Sequence, residues 1–301
     1  MTNRVDATRR YLKRYGSGYL LMLPYLVIFT VFTVWPVLMS LVLSFTTYNV
    51  FEAPRFLGLE NYINLFFRDS VFLTALQNTF LISLIVGPVG YLLSLFLAWM
   101  VNEYKNPWKT LLTVVFYAPT LSNAVFTIWL IVFDGDIYGY LNSFLLSLGV
   151  ITESIQWRTD PTYMMAVVII VQLWVSLGTS FLTLRAGFNT IDKQYYEAAA
   201  IDGIRNRWQE LWFVTLPMMT PHLALSAVLS ITAAFANGNV AMALTGFPST
   251  NYATHMMIHH LLDYGTIRQE RGYAAAIATV IFLLSVGTNK LVQRFLGRLG
   301  K

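Results

Sequence analysis

The sequence predicts an all-α, polytopic membrane protein with six transmembrane helices. Three observations carry that reading. Hydrophobic residues make up 56% of the 301 and charged residues only 12%, where a soluble domain has about 25% charged. Mean hydropathy is +0.57. Six stretches contain no Asp, Glu, Lys or Arg at all, and each has about the 20 residues that cross a hydrocarbon core, or more.

The stretches run Tyr19–Phe45, Val71–Val101, Thr110–Phe133, Thr162–Leu184, His222–Gly246 and Gly272–Asn289. An unpaired charge at the bilayer centre costs a few kcal/mol or more, so charge-free runs are expected there. No period-two alternation marks barrel strands, so the spans are helices. The first has a basic leader, but its apolar run is about twice the length of a signal-peptide core, and it reads as a retained helix. The second is longer than needed, so its first turns project from the bilayer. The fifth is the most polar. Within the second, Gly87-Pro88 suggests a kink.

Orientation follows from the basic residues. Of the 20 Lys and Arg, only Arg55, Arg68, Arg158, Arg268 and Arg271 fall on the side away from the termini. The rest lie on the terminal side, which is therefore cytoplasmic. The net charge of +5 thus reports topology and contact with anionic lipid, not nucleic acid. The chain divides into a cytoplasmic segment 1–18, a six-helix transmembrane domain 19–296 with its longest cytoplasmic loop at 186–220, and a cytoplasmic tail 297–301.

The absence of Cys excludes a disulfide scaffold, thiol catalysis and Cys-based metal sites. No G-x4-G-K-[ST] is present, so the chain has no P-loop for ATP. No acid lies within a span to couple protons or cations. No paired carboxylates and no G-x-S-x-G stand at membrane depth for an intramembrane enzyme. A secondary transporter or channel for a small polar solute remains the competing reading.

The loop RAGFNTIDKQYYEAAAIDGIRNRWQELWFVTLPMMTP, from Arg185 to Pro221, is too patterned for an irregular connection. Ile191, Tyr195, Ala198, Ala199 and Ile201 suit one face of a short helix. Asn189 or Thr190 suits its cap, with Asp192 in the first turn. Gly203 allows a corner. Trp208, Leu211, Trp212 and Leu216 suit a second amphipathic helix. The pair reads either as an interfacial anchor on lipid headgroups or as a docking knob. Glu197, Asp202 and the shallow alanine run favour docking.

At these residues a family resemblance emerges. Glu197-Ala198-Ala199-Ala200-Ile201-Asp202-Gly203, followed by Val214-Thr215-Leu216-Pro217, resembles the EAA loop of permease subunits of binding-protein-dependent ABC importers. The sugar permeases of the maltose and glycerol-3-phosphate class are the nearest likeness. Leu43-Ser44-Phe45-Thr46, Phe56-Leu57-Gly58-Leu59-Glu60-Asn61-Tyr62, Asn78-Thr79-Phe80 and Tyr138-Gly139-Tyr140-Leu141-Asn142 look like further family segments and fall in the family's order. The resemblance implies a type I ABC importer permease fold. It implies a second permease subunit, identical or homologous, two copies of an ATP-binding subunit and an external solute-binding protein. It implies a transport subunit rather than an enzyme, with no cofactor on this chain, and ATP and Mg on the partner ATPase. The residues it assigns to ATPase docking are Glu197, Ala198, Ala199, Asp202 and Gly203. One departure stands out: ten residues separate Gly203 from Val214 where the family usually has one fewer. The corner absorbs the extra residue, or the second helix turns another face.

A carbohydrate path needs amides, hydroxyls and aromatic faces. Asn237 and Asn239 in the fifth span, Asn123 and Tyr117 in the third and Gln172 in the fourth are the candidates. Gly238 suits a local helix break of the kind that lines a cavity. The alternative is that these amides bond to neighbouring helices. His255 and His259, four apart, suit a metal pair. The reading preferred for His255, His259 and His260 is a solvated loop helix that meets the solute-binding protein.

Overall fold

A computed structural model describes residue 15 and residues 18–121, 126–236 and 238–299. In chain order, α1 (Gly18–Leu43) leads into a small antiparallel hairpin of β1 (Thr46–Thr47) and β2 (Arg55–Phe56). Next come α2 (Ser70–Glu103), α3 (Trp108–Tyr117), α4 (Phe126–Val132) and α5 (Tyr140–Ser147). The long α6 (Pro161–Asn189) follows. Then α7 (Lys193–Ile201) and α8 (Arg207–Met218) precede α9 (Thr220–Ala236) and α10 (Asn239–Thr245). The chain closes with α11 (Met257–Leu262) and α12 (Arg271–Leu299).

Among the described residues four helices are long and apolar enough to cross a membrane, α1, α2, α6 and the first 24 residues of α12, and α8 with α9, bent by 80°, make a fifth if counted as one span. The third and fifth predicted spans are each interrupted, the fifth at the Gly238 break that the sequence suggests and the third at a turn it does not mark. In the third, Pro119 supplies no N–H to the helical ladder. The chain tightens into a 3-10 turn at Ala118–Thr120, and Thr120 Oγ1 donates to Tyr117 O over 2.7 Å. In the fifth, α9 ends at Ala236 and Gly238 caps a new helix, α10. Pro88 by contrast lies inside α2, which remains one helix.

Small residues let the spans approach closely, as expected where helices pack without a hydrophobic drive. A Cβ at Gly90 would lie 2.4 Å from Ser176 Oγ, so α2 and α6 meet there. A Cβ at Gly178 would lie 2.2 Å from Thr120 Cγ2, so the proline turn of the third span rests on α6. One apolar cluster joins α2, α9, α11 and α12 through Phe72, Ala75, Phe235, Met257 and Ile277. A second, at the opposite end of α2, gathers Ala98, Val101, Phe181, Leu184, Phe188, Leu211 and Met219.

The quoted sequence segments turn out to pin the connections together. Asn61 Nδ2 donates to the carbonyls of Ser44 (2.9 Å) and Thr46 (3.0 Å), and Tyr62 OH donates to Ser44 Oγ. Asn142 is fully buried and donates to Asp134 O, Asp136 O and Ile155 O. It also accepts from Ile155 N–H and Trp157 Nε1–H. Gly272 sits under the start of the hairpin, where a Cβ would lie 2.1 Å from Thr46 O. The first helix is different: no residue of its most apolar window is buried.

Candidate functional site

The long connection folds as a knob. Helix α6 runs through to Asn189, so neither Asn189 nor Thr190 caps α7; Thr190 ends α6 instead. Asp192 is the cap and accepts from Gln194 N–H over 3.1 Å. The exit is a Schellman turn: Gly203 N–H donates to Ala200 O and Ile204 N–H to Ala199 O, with Gly203 at φ +96°. A side chain would be strained there although nothing crowds it.

The knob's inner face is rotated from the one expected. Ala199 is buried and Tyr196 OH lies 3.0 Å from Thr215 Oγ1. Tyr195, Ala198 and Ile201 face outward with Glu197, Asp202 and Gly203. Ile201 is 88% exposed. Ala199, one of the residues assigned to docking, therefore supports the knob from beneath.

The second knob helix contains a π turn, Leu211–Thr215, closed by Leu216 N–H to Leu211 O. A π turn holds one residue more than an α turn. Leu211 and Val214 turn inward, while Trp208 and Trp212 stay exposed. Trp208 lies 4.8 Å from Trp99 of α2, and Arg207 pairs with Glu103 at 3.3 Å. Through Leu211 and Met219 the knob shares an apolar core with the ends of α2 and α6.

A cavity of about 440 Å³ lies between the broken third and fifth spans, α2 and α6. Gln172 and Asn239 line it, with Ser176, Thr179, Ser180, Ser230 and Thr232. None of the described residues that line it is charged. Ser180 and Ser230 hydroxyls meet at 2.5 Å across one wall. Tyr117 ends α3 but does not line the cavity; Pro119 and Thr120 beyond it do. Asn123 and Asn237 lie outside the described residues. The hydroxyls were missed in the sequence, although Ser176, Thr179 and Ser180 have the three- and four-residue spacing of one helical face. A larger recess of about 860 Å³, lined by Glu52, Glu60, Arg68 and Glu270 among others, lies mostly among the connections, at the ends of α2 and α12.

The histidines overturn their expectation. His255, His259 and His260 are all buried, not solvated. His255 precedes α11, so it shares no helical face with His259, and the described residues contain no group of side chains arranged to hold a metal. His260 Nε2 lies 2.9 Å from Asp69 Oδ2, which also accepts from Tyr273 OH, while Asp69 Oδ1 caps α2 at Phe72 N–H. Burial alone would raise the Asp69 carboxyl, but these hydrogen bonds outweigh it and bring it from 3.8 to about 2. Burial beside His259 and His260 brings His255 down to about 3. Burial lowers His259 as well.

The family model described as binding-protein-dependent transport system inner membrane component matches residues 90–300. The chain belongs to that family. It is a permease subunit of importers, not an enzyme, and works within a binding-protein-dependent ABC system of the inner membrane. The permease is 31% identical over 272 residues to the probable ABC transporter permease protein YesP of Bacillus subtilis (strain 168), covering 89% of this chain and 86% of that protein. It is 30% identical to the lactose transport system permease protein LacF of Rhizobium radiobacter, covering 92% of this chain and 93% of LacF. Its fold matches that of a chain in a bacterial ABC transporter involved in the import of the acidic polysaccharide alginate. The TM-score is 0.77 at 22% identity, over 98% of the permease and 100% of that chain. The type I importer permease fold is thereby shown.

Proposed function

We propose that the permease forms one half of the translocation path for a carbohydrate, moved by alternating access and driven by a separate ATPase through the α7–Gly203–α8 knob. The observation that carries this is the knob's two-sided construction. Its inner side, through Leu211 and Met219, is part of the bundle core. Its outer side presents Glu197, Ala198, Ile201, Asp202 and Gly203 to a partner. Glu197 and Asp202 make charge-assisted contacts with basic groups of the ATPase, and Ile201 enters an apolar cleft. Closure of two ATP-binding subunits moves the knob, and the knob tilts α2 and α6 with it. A ligand-driven change of this kind requires that the two states bind the motor differently.

A second permease subunit completes the path and covers the unburied face of α1. The knob end faces the cytoplasm, as the basic residues predict, and a solute-binding protein delivers the solute at the other end. The uncharged, hydroxyl- and amide-lined cavity suits a polyhydroxyl solute, in keeping with the lactose permease among the relatives.

Because the chain has no Cys, single cysteines test the docking directly. Ala198→Cys and Ile201→Cys, introduced separately, should cross-link to the ATP-binding subunit with a short bismaleimide, and Ala199→Cys should not. Absence of a cross-link from both exposed positions in the assembled complex removes the docking assignment.

A further inference from the structure

Helix α10 begins at an unusual junction. The Gly238 carbonyl accepts two donors: Met242 N–H at 3.1 Å, which opens the helix, and His259 Nε2 at 2.9 Å, which reaches it from α11. The other ring nitrogen, Nδ1, accepts Met256 N–H at 3.1 Å. These two partners require a neutral imidazole with its proton on Nε2. Only glycine permits the approach, because a Cβ at position 238 would lie 2.5 Å from both His259 Nε2 and Ile258 Cγ2.

The histidine is itself held in place. Met257 N–H donates to Thr79 Oγ1 over 2.9 Å, and Asn78 Nδ2 donates to Tyr252 O and His255 O. His260 bonds Asp69 at the start of α2. So α11 is fastened to the first turns of α2 and, through one imidazole, to the first turn of α10. The first residue of α10 is Asn239, which lines the cavity.

We propose that His259 is a positioning residue for the translocation path: by fastening the Gly238 carbonyl to α11, it sets where Asn239 stands in the cavity. The inference rests on the reading of that cavity as the path. It also gives the connection 247–270 a direct link to the path at the Gly238 carbonyl, beside the packing of Ala241 on Met256 and Ile258 further along α10.

The test uses the complete complex in membrane vesicles and a membrane-permeant maleimide as probe, reading the labelling rate of Asn239→Cys on this chain. The proposal is examined with His259→Gln and His259→Asn in that background. The glutamine amide reaches Gly238 O; the asparagine amide keeps the Met256 contact and falls short of Gly238. Asn239→Cys should label, His259→Gln should leave the rate unchanged, and His259→Asn should change it by about fivefold, the order of one net hydrogen bond. Gly238→Ala, which displaces the imidazole, should reproduce the asparagine result. Equal rates in all His259 variants overturn the positioning role and leave the path reading standing. Failure of Asn239→Cys to label in the parent overturns both.

Discussion

Asp69 and His260, 191 residues apart in sequence, meet at 2.9 Å and close the start of α2 against α11. Around them lie His255, His259, Tyr264 and Tyr273. The pH dependence follows from which groups stay uncharged. His255 titrates at about 3 in the folded chain against an ordinary 6.5, and His259 is lowered too. The unfolded chain takes up protons on these histidines below about pH 6.5 and the folded one does not, so their stabilisation is complete above that pH and is lost as pH falls towards 3. Asp69 acts in the same direction lower down: its stabilisation is present above 3.8 and is lost as pH falls towards about 2. The melting temperature of the purified permease, followed by tryptophan fluorescence, should drop between pH 7 and pH 5. His255→Phe, which keeps a ring against Phe247 and takes no proton, should flatten the drop. An unchanged slope contradicts the assignment.

Asn142 makes five hydrogen bonds from a fully buried position. Asn142→Ala leaves several buried partners unsatisfied, at a cost of about 3 kcal/mol. Limited proteolysis should then cleave within 134–160, where the parent resists.

The hairpin after α1 rests on Gly272 without room for a methyl group. Gly272→Ala meets backbone atoms of Thr46 and Tyr48 that cannot rotate away, and should destabilise the permease by about 1–3 kcal/mol. Gly287→Ala, on the same helix with open space around it, is the matched control. Equal melting of the two variants contradicts the contact.

The break in the third span is shaped by the approach of Thr120 to Gly178. Gly178→Ala should slow ATP-driven uptake by displacing one wall of the cavity. Thr120→Ala, which removes the clashing methyl, should restore it in the double variant. Failure of that restoration in a double-mutant cycle shows that the two residues act independently.

How much of this was legible in sequence depended on whether the signal was local. Charge-free runs mark where the spans lie, because the cost of charge in lipid is paid residue by residue. They do not say that the third is broken, since Pro88 is carried inside one helix while Pro119 sits in a 3-10 turn beyond the end of another; in the fifth, Gly238 did mark the break. Gly203 was legible as a corner, and its φ of +96° is the reason. The face of α7 was not, because the side that packs inward is set by a partner 19 residues away, Thr215 against Tyr196, and not by the helix's own apolar residues. The π turn at Leu211–Thr215 leaves no trace in composition. His259 and Asn142 looked like loop residues, and loops are ordinarily solvated. Their burial comes from partners distant in sequence, which a single chain read along its length does not reveal.

The central claim is that the exposed side of the knob transmits the motor's work. It is tested most directly by comparing ATP hydrolysis with ATP-driven uptake in proteoliposomes holding the full complex with Glu197→Lys or Gly203→Pro. The first reverses a docking charge and the second distorts the turn that presents it. Assembled complexes of both variants should lose uptake out of proportion to hydrolysis. Parental uptake by both, at parental hydrolysis, would contradict the account.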